Sequence, residues 1–130
     1  MPSSPLKKIL MVEDDPDIQA IAGLALRSLG GYEVLACSHG ADAVARAPEF
    51  GPDLVLLDVM MPGMDGPSTY RALRALPGTA ATPIVFMTAR AQRHEVEAYF
   101  ALGAADVIRK PFDPMALPER LAATWRAANG

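Results

Sequence analysis

Four short apolar runs of this chain each stop at side chains able to do chemistry. Lys8-Ile9-Leu10-Met11-Val12 ends in Glu13, Asp14 and Asp15. Asp53-Leu54-Val55-Leu56-Leu57 ends in Asp58, and Pro83-Ile84-Val85-Phe86-Met87 ends in Thr88. Ala105 to Ile108 ends in Arg109 and Lys110. Three acids, a fourth acid, a hydroxyl and an amine thus follow strand-like runs in the same sense. Carboxylates gathered in one place repel each other, and with nothing between them at least one takes up a proton. A hard divalent cation relieves that, and an oxygen-only set with one or two carboxylates and several waters suits Mg2+ (or Mn2+). Asp58, with the Lys110 ammonium and the Thr88 hydroxyl beside it, has what a carboxylate needs to attack phosphorus. Catalysis of phosphoryl transfer is mainly positioning and charge stabilisation, which a divalent cation, Lys110 and Thr88 would supply. Gly63 and Gly66, in the loop after Asp58, let the chain turn tightly and present backbone N–H groups.

The elements between these runs must place them at one edge. From Asp17, apolar residues at Ile18, Ile21, Ala22, Ala25, Leu26 and Leu29 form a helical stripe closed by Gly30-Gly31. Tyr32 to Ala36 reads as a second strand, and His39 to Ala47 as an alanine-rich helix closed by Pro48 and Gly51-Pro52. The 53–58 run, apolar on both faces, fits a parallel strand covered on both sides. Ser68 to Leu76 reads as a third helix, Gln92 to Leu102 as a fourth ended by Gly103, and Asp113 to Ala128 as a fifth. Pro118 lies beyond the first turn of that last helix, so a kink or a later start is expected. Five strands alternating with five helices imply βαβ crossovers, hence an α/β fold with a parallel sheet between two helical layers. In such sheets ligands bind at the carboxyl ends of the strands.

The stretches ILMVEDDPDI, DLVLLDVMMPGMDG, PIVFMTAR and GAADVIRKPFDP resemble the four signature blocks of the receiver domain of bacterial response regulators (the CheY-like family). They stand in that family's order and spacing, with Asp14, Asp58, Thr88 and Lys110 successively 44, 30 and 22 residues apart. The resemblance covers residues 7–127 and leaves residues 1–6 as a loose tail. It implies a flavodoxin-like, doubly wound sandwich with strand order 2-1-3-4-5. It also implies that Asp58 is the phospho-acceptor, Thr88 the switch hydroxyl and Lys110 the phosphoryl contact. Asp14, Asp58 and the backbone carbonyl of Met60 would hold Mg2+, with Glu13 acting through bound water. A cis bond is implied at Lys110–Pro111. The phosphoryl donor would be a sensor histidine kinase or a histidine phosphotransfer protein. The response would be a change in the surface of the fourth helix, fifth strand and fifth helix, read by a downstream partner or output domain.

Three positions depart from the common pattern. Val107 stands where many receivers carry a Tyr or Phe, so the usual aromatic coupling is missing. Met60 and Arg90 occupy places that tune phosphoaspartate hydrolysis in the family. Other polar residues have structural readings. Asp15, Asp65 and Asp113 are read as helix caps, His94 as an exposed helix residue, His39 as a loop or cap residue, and Cys37 as a small part-buried filler. Asp106 and Arg120 fall where receivers that dimerise often carry charges.

Composition narrows the alternatives. The 130 residues suffice for one domain, and 51% hydrophobic with 21% charged residues is a globular balance. The formal net charge of −3 lacks the basic footprint of a nucleic-acid binder. One cysteine excludes a disulfide framework or multi-cysteine metal site. No apolar run spans a membrane and MPSSPLKK lacks a signal-peptide core, so a cytoplasmic protein is expected. Little follows the last helix, so no output domain is expected within these residues. They fit a free-standing regulator or an excised receiver. Two other functions use similar residues. A haloacid-dehalogenase-like phosphatase needs a second aspartate where Met60 stands, and a cap domain for which there is no room. A degenerate receiver serving only as an interaction module would not need the full set of Glu13, Asp14, Asp58, Thr88 and Lys110.

Overall fold

In the computed structural model, which describes residues 5–129, the sheet consists of β1 (Lys8–Val12), β2 (Glu33–Cys37), β3 (Leu54–Asp58), β4 (Ile84–Thr88) and β5 (Asp106–Arg109). All neighbouring pairs are parallel and the order is β2-β1-β3-β4-β5, the expected topology. The helices are α1 (Pro16–Leu24), α2 (Gly40–Phe50), α3 (Gly66–Arg74), α4 (Arg93–Leu102) and α5 (Leu117–Asn129). Alternation along each strand sorts its side chains between two cores. Leu10, Val12, Val55, Leu57, Ile84, Phe86 and Val107 face the layer of α2, α3 and α4. Ile9, Met11, Leu54, Leu56, Val85, Met87 and Ile108 face that of α1 and α5. Both faces of the central strands are therefore dry, which is why those strands read as unbroken apolar runs.

Several boundaries differ from expectation, each for a local reason. Helix α2 does not stop at Pro48 but continues through it to Phe50, where Gly51 ends it in the left-handed conformation (φ 66°). Ala47 is buried and Phe50 packs on the core, so burial of the last turn outweighs the hydrogen bond that proline cannot donate. Helix α3 begins two residues early because Asp65 caps it, its carboxylate accepting from Ser68 N at 2.9 Å. Helix α5 starts late, at Leu117, which puts Pro118 in the first turn, where no N–H is needed. Asp113 closes a turn ahead of it, accepting from Met115 N at 2.9 Å, and does not cap the helix itself. Leu6 is buried among the α1–α5 core residues, so the tail expected over residues 1–6 does not include it; residues 1–4 lie outside the described residues.

Helix α1 holds the largest correction. It passes at Ala25–Leu29 into a wider π-type turn, and its buried residues are Ala22, Gly23, Ala25 and Leu26. Ile21, Leu24 and Leu29, large and apolar, point outward. Ala22, Gly23 and Ala25 share the inner face with Leu26, which is fully buried.

Candidate phosphoryl-acceptor site

Each strand end delivers its residue for a backbone reason. Glu13 continues the ladder past β1, its N–H donating to Cys37 O at 3.0 Å. Asp58 is the last residue of β3, opposite Met87 of β4, and Lys110 N donates to Thr88 O at 2.9 Å. The Lys110–Pro111 bond is cis, as the resemblance implies. After Asp58 the chain folds back on itself: Gly66 N donates to Val59 O at 3.0 Å. A Cβ on Gly66 would stand 2.7 Å from both Asp58 O and Val59 Cα, so only glycine fits there. Gly63, with φ 75°, supplies the left-handed turn before it.

Four of the expected residues meet. Glu13, Asp14 and Asp58 each place a carboxylate oxygen within 4.8 Å of the others. Lys110 Nζ reaches into the group, 2.6 Å from Glu13 Oε1 and 3.1 Å from Asp58 Oδ1. Glu13 is fully buried and Asp58 nearly so, while Asp14 sits at the rim. Burial pushes the Glu13 carboxyl up to about 7; the Asp58 charge adds to this, and Lys110 and the Asp15 N–H oppose it. Burial works against the Lys110 ammonium, but its close ion pairing with Glu13 and Asp58 prevails and raises its pKa. Asp15 is a cap and not a ligand, its Oδ1 accepting from Asp17 N and Ile18 N at 2.9 and 3.3 Å.

The donor set fits a divalent cation. Three acids face a single lysine, a surplus of negative charge in a part-buried pocket. Glu13 Oε2 accepts from Asp15 N, but Oε1, although close to Lys110, has no partner in hydrogen-bonding geometry. A buried oxygen left with unused acceptor capacity beside two more carboxylates suits a cation or its bound water.

Thr88 is fully buried, and its hydroxyl is turned to its own loop. It accepts from Arg90 N at 2.9 Å and donates to Arg90 O at 3.0 Å. Met60 N donates to Asp58 Oδ1 at 3.3 Å, and its side chain is 56% exposed at the mouth of the site. Arg90 is exposed on the neighbouring loop. Cys37 is more deeply buried than expected, and that burial pushes its thiol up to about 11. His39 precedes α2 without a side-chain capping bond.

One feature of the site region escaped the sequence reading. Ile18, Ile21, Pro111, Phe112 and Pro114 line an apolar recess of about 150 Å³ that opens on Lys110. It adjoins a second, about 330 Å³, lined by Ile21, Leu24, Leu29, Pro114 and Met115. The signal was present in α1, which carries more large apolar residues than one buried stripe can use.

This fold, with acids, a hydroxyl and a lysine at the carboxyl edge of one parallel sheet, has its match among known proteins. Residues 9–122 match the response regulator receiver domain family, to which this chain belongs. It is thus a receiver domain of the two-component signalling systems. The DNA-binding response regulator MtrA of Mycolicibacterium smegmatis is 38% identical over 120 residues, 92% of this chain and 51% of that protein. The phosphate regulon transcriptional regulatory protein PhoB of Rhizobium meliloti is 37% identical over 124 residues, 95% of this chain and 54% of that one. The chain therefore spans about half the length of these curated relatives. Among solved structures, the Vibrio cholerae chemotaxis protein CheY4 superposes with a TM-score of 0.85 at 30% identity, covering 92% of this chain and 98% of its own. A putative response regulator from Chloroflexus aurantiacus gives 0.84 at 32%, covering 95% and 99%. Among the described residues no helix is long and apolar enough to cross a membrane.

Proposed function

We propose that this domain, residues 7–127, takes a phosphoryl group onto Asp58 from a phosphohistidine of a sensor kinase or histidine phosphotransfer protein. An Asp58 oxygen attacks phosphorus, the P–N bond breaks, and the histidine leaves with the bonding electron pair. Asp14, Asp58 and the Met60 carbonyl would hold Mg2+, with Glu13 acting through a bound water. The cation would neutralise negative charge on the transferring group and screen it from the acids. Lys110, placed between Glu13 and Asp58, is positioned to exchange part of that pairing for a phosphoryl oxygen. The Thr88 hydroxyl would exchange Arg90 O for another. The observation that carries this reading is the meeting of Glu13, Asp14 and Asp58 around Lys110 at the end of β3.

A donor protein must land beside Asp58, and the apolar recess of Ile18, Ile21, Phe112 and Pro114 next to Lys110 offers a surface for it. A phosphorylated Asp58 would then alter the surface of α4, β5 and α5, read by a partner or an attached output domain. Phosphorylation from small phosphodonors and slow self-dephosphorylation are the only chemistry this reading gives the chain by itself. Incubation with acetyl phosphate and Mg2+, followed by intact mass, tests it. One added phosphate, lost in Asp58→Asn, is expected. Turnover of phosphate esters would favour a phosphatase, and no change a purely interacting module.

A further inference from the structure

Helix α4 is held differently from the other helices. Each of α1, α2, α3 and α5 buries residues completely, whereas α4 buries none. Its inward side chains, Val96, Tyr99 and Leu102, are only partly covered by the core. Besides Arg109 Nη2, which donates to Ala91 O at 3.0 Å from β5, two attachments bind it toward the site. At its start, the Thr88 hydroxyl holds both the N–H and the carbonyl of Arg90, three residues before the helix. In its middle, the Tyr99 ring packs on Phe86, with centroids 5.3 Å apart and planes tilted by 53°. Phe86 is fully buried, two residues before Thr88 on β4 and on the same face of the sheet.

The other ring touching Phe86 is locked. Tyr70 of α3 lies 5.8 Å from it, and its hydroxyl accepts from Arg74 Nε at 3.2 Å. The Arg74 guanidinium also stacks 4.8 Å over the Tyr70 ring and donates to Thr79 O and Thr82 O at 2.9 and 2.6 Å. The Tyr70 hydroxyl fills the space beside Gly103, where a Cβ would collide with it. Opposite Phe86 in the β4–β5 register stands Val107, buried and aliphatic, so no ring approaches from that side. One wall of the Phe86 pocket is thus fixed, and the other rides on the least anchored helix.

We infer that Tyr99 is the positioning residue through which the site governs α4. The helix is latched at its start by Thr88 and pivots on the ring contact between Tyr99 and Phe86. This rests on the receiver reading: when Thr88 turns from Arg90 to a phosphoryl oxygen, the latch opens. The pivot then gives α4 one defined new position instead of many. Elements with little buried surface are those that open or move most easily, and an aromatic pair supplies a directional contact that an aliphatic one does not.

Amide NMR of the whole chain, with and without Mg2+ and beryllium fluoride as a phosphoryl mimic on Asp58, tests this in the wild type, Tyr99→Phe and Tyr99→Leu. Wild type and Tyr99→Phe are expected to show discrete shifts across residues 93–102 on loading. Tyr99→Leu should still gain one phosphate from acetyl phosphate by mass, yet lose or broaden those shifts. Its α4 amides in the unloaded chain should exchange with solvent roughly tenfold faster. The inference is overturned if Tyr99→Leu keeps the wild-type shifts, if Tyr99→Phe behaves like Tyr99→Leu, or if wild-type α4 does not respond to loading. If the wild type takes up no phosphate, the receiver reading fails instead. The exchange rates then still decide whether Tyr99 anchors α4.

Discussion

Lys110 Nζ lies 2.6 Å from Glu13 Oε1 and 3.1 Å from Asp58 Oδ1, so one cation from the end of β5 bridges acids from the ends of β1 and β3. Removing one partner of a buried charge group leaves the others uncompensated, and that costs more than the intact group contributes. Lys110→Met should therefore cost about 2 kcal/mol without metal, less than a fully dry pair because the carboxyls can take up a proton. Mg2+ should return part of the loss. Urea unfolding in EDTA and in Mg2+ checks this; an unchanged midpoint in EDTA would refute it.

The Glu13 carboxyl, pushed by burial up to about 7 from an ordinary 4.5, makes the metal-free chain pH-dependent in a defined sense. The folded state binds this proton more tightly than the unfolded one. The stabilisation is complete below pH 4.5 and is lost as pH rises through about 7. A proton on Glu13 also competes with a cation, so Mg2+ affinity should fall as pH is lowered through the same window. Calorimetric titration with Mg2+ at about pH 5.5, 7 and 8.5 checks this, and equal affinity at all three would refute it. Asp58→Asn removes one repelling charge and should shift the Glu13 titration downward.

Gly66 is the tightest constraint on the loop after Asp58. A Cβ there meets the backbone of Asp58 and Val59 at 2.7 Å, and backbone cannot rotate away as a side chain can. Gly66→Ala should cost about 2 kcal/mol and displace Asp58, lowering acetyl phosphate labelling. Thermal unfolding together with intact mass measures both. Retention of wild-type labelling would show that the loop can shift without the site.

Ile21 is 49% exposed where the two apolar recesses join. A charge there should weaken docking of a donor protein without touching Asp58. Ile21→Asp is expected to slow transfer from a phosphorylated histidine protein by about tenfold or more while leaving acetyl phosphate labelling unchanged. Equal loss with both donors would contradict the docking role.

The bidentate pair of Arg120 with Asp106, at 2.8 and 3.1 Å, joins α5 to β5 within one chain, with Arg120 also donating to Val107 O. These charges, which the sequence marks as candidates for contact between copies, are thus engaged with each other here.

Much of the molecule was legible in the sequence because its signals are local. Apolar runs on a two-sided sheet, glycine breaks and acids at strand ends made five parallel strands and one acidic edge readable. The residues at the strand ends pointed to Glu13, Asp14, Asp58 and Lys110, which meet there, whereas the Thr88 hydroxyl is turned to Arg90. Local signals mislead where packing overrides them. Pro48 stays inside α2 because the last turn buries Ala47 and packs Phe50 on the core, and α5 starts late to place Pro118 in its first turn. Only tertiary structure decided which apolar residues of α1 and the turn after it face inward, because packing on the sheet buries the side carrying Ala22, Ala25 and Leu26 and turns Ile21 and Leu24 to solvent. It likewise decided that Glu13 is the deeply buried acid and pairs with Lys110. Burial and long-range pairing depend on residues nearly a hundred positions apart, and no spacing within one strand encodes them.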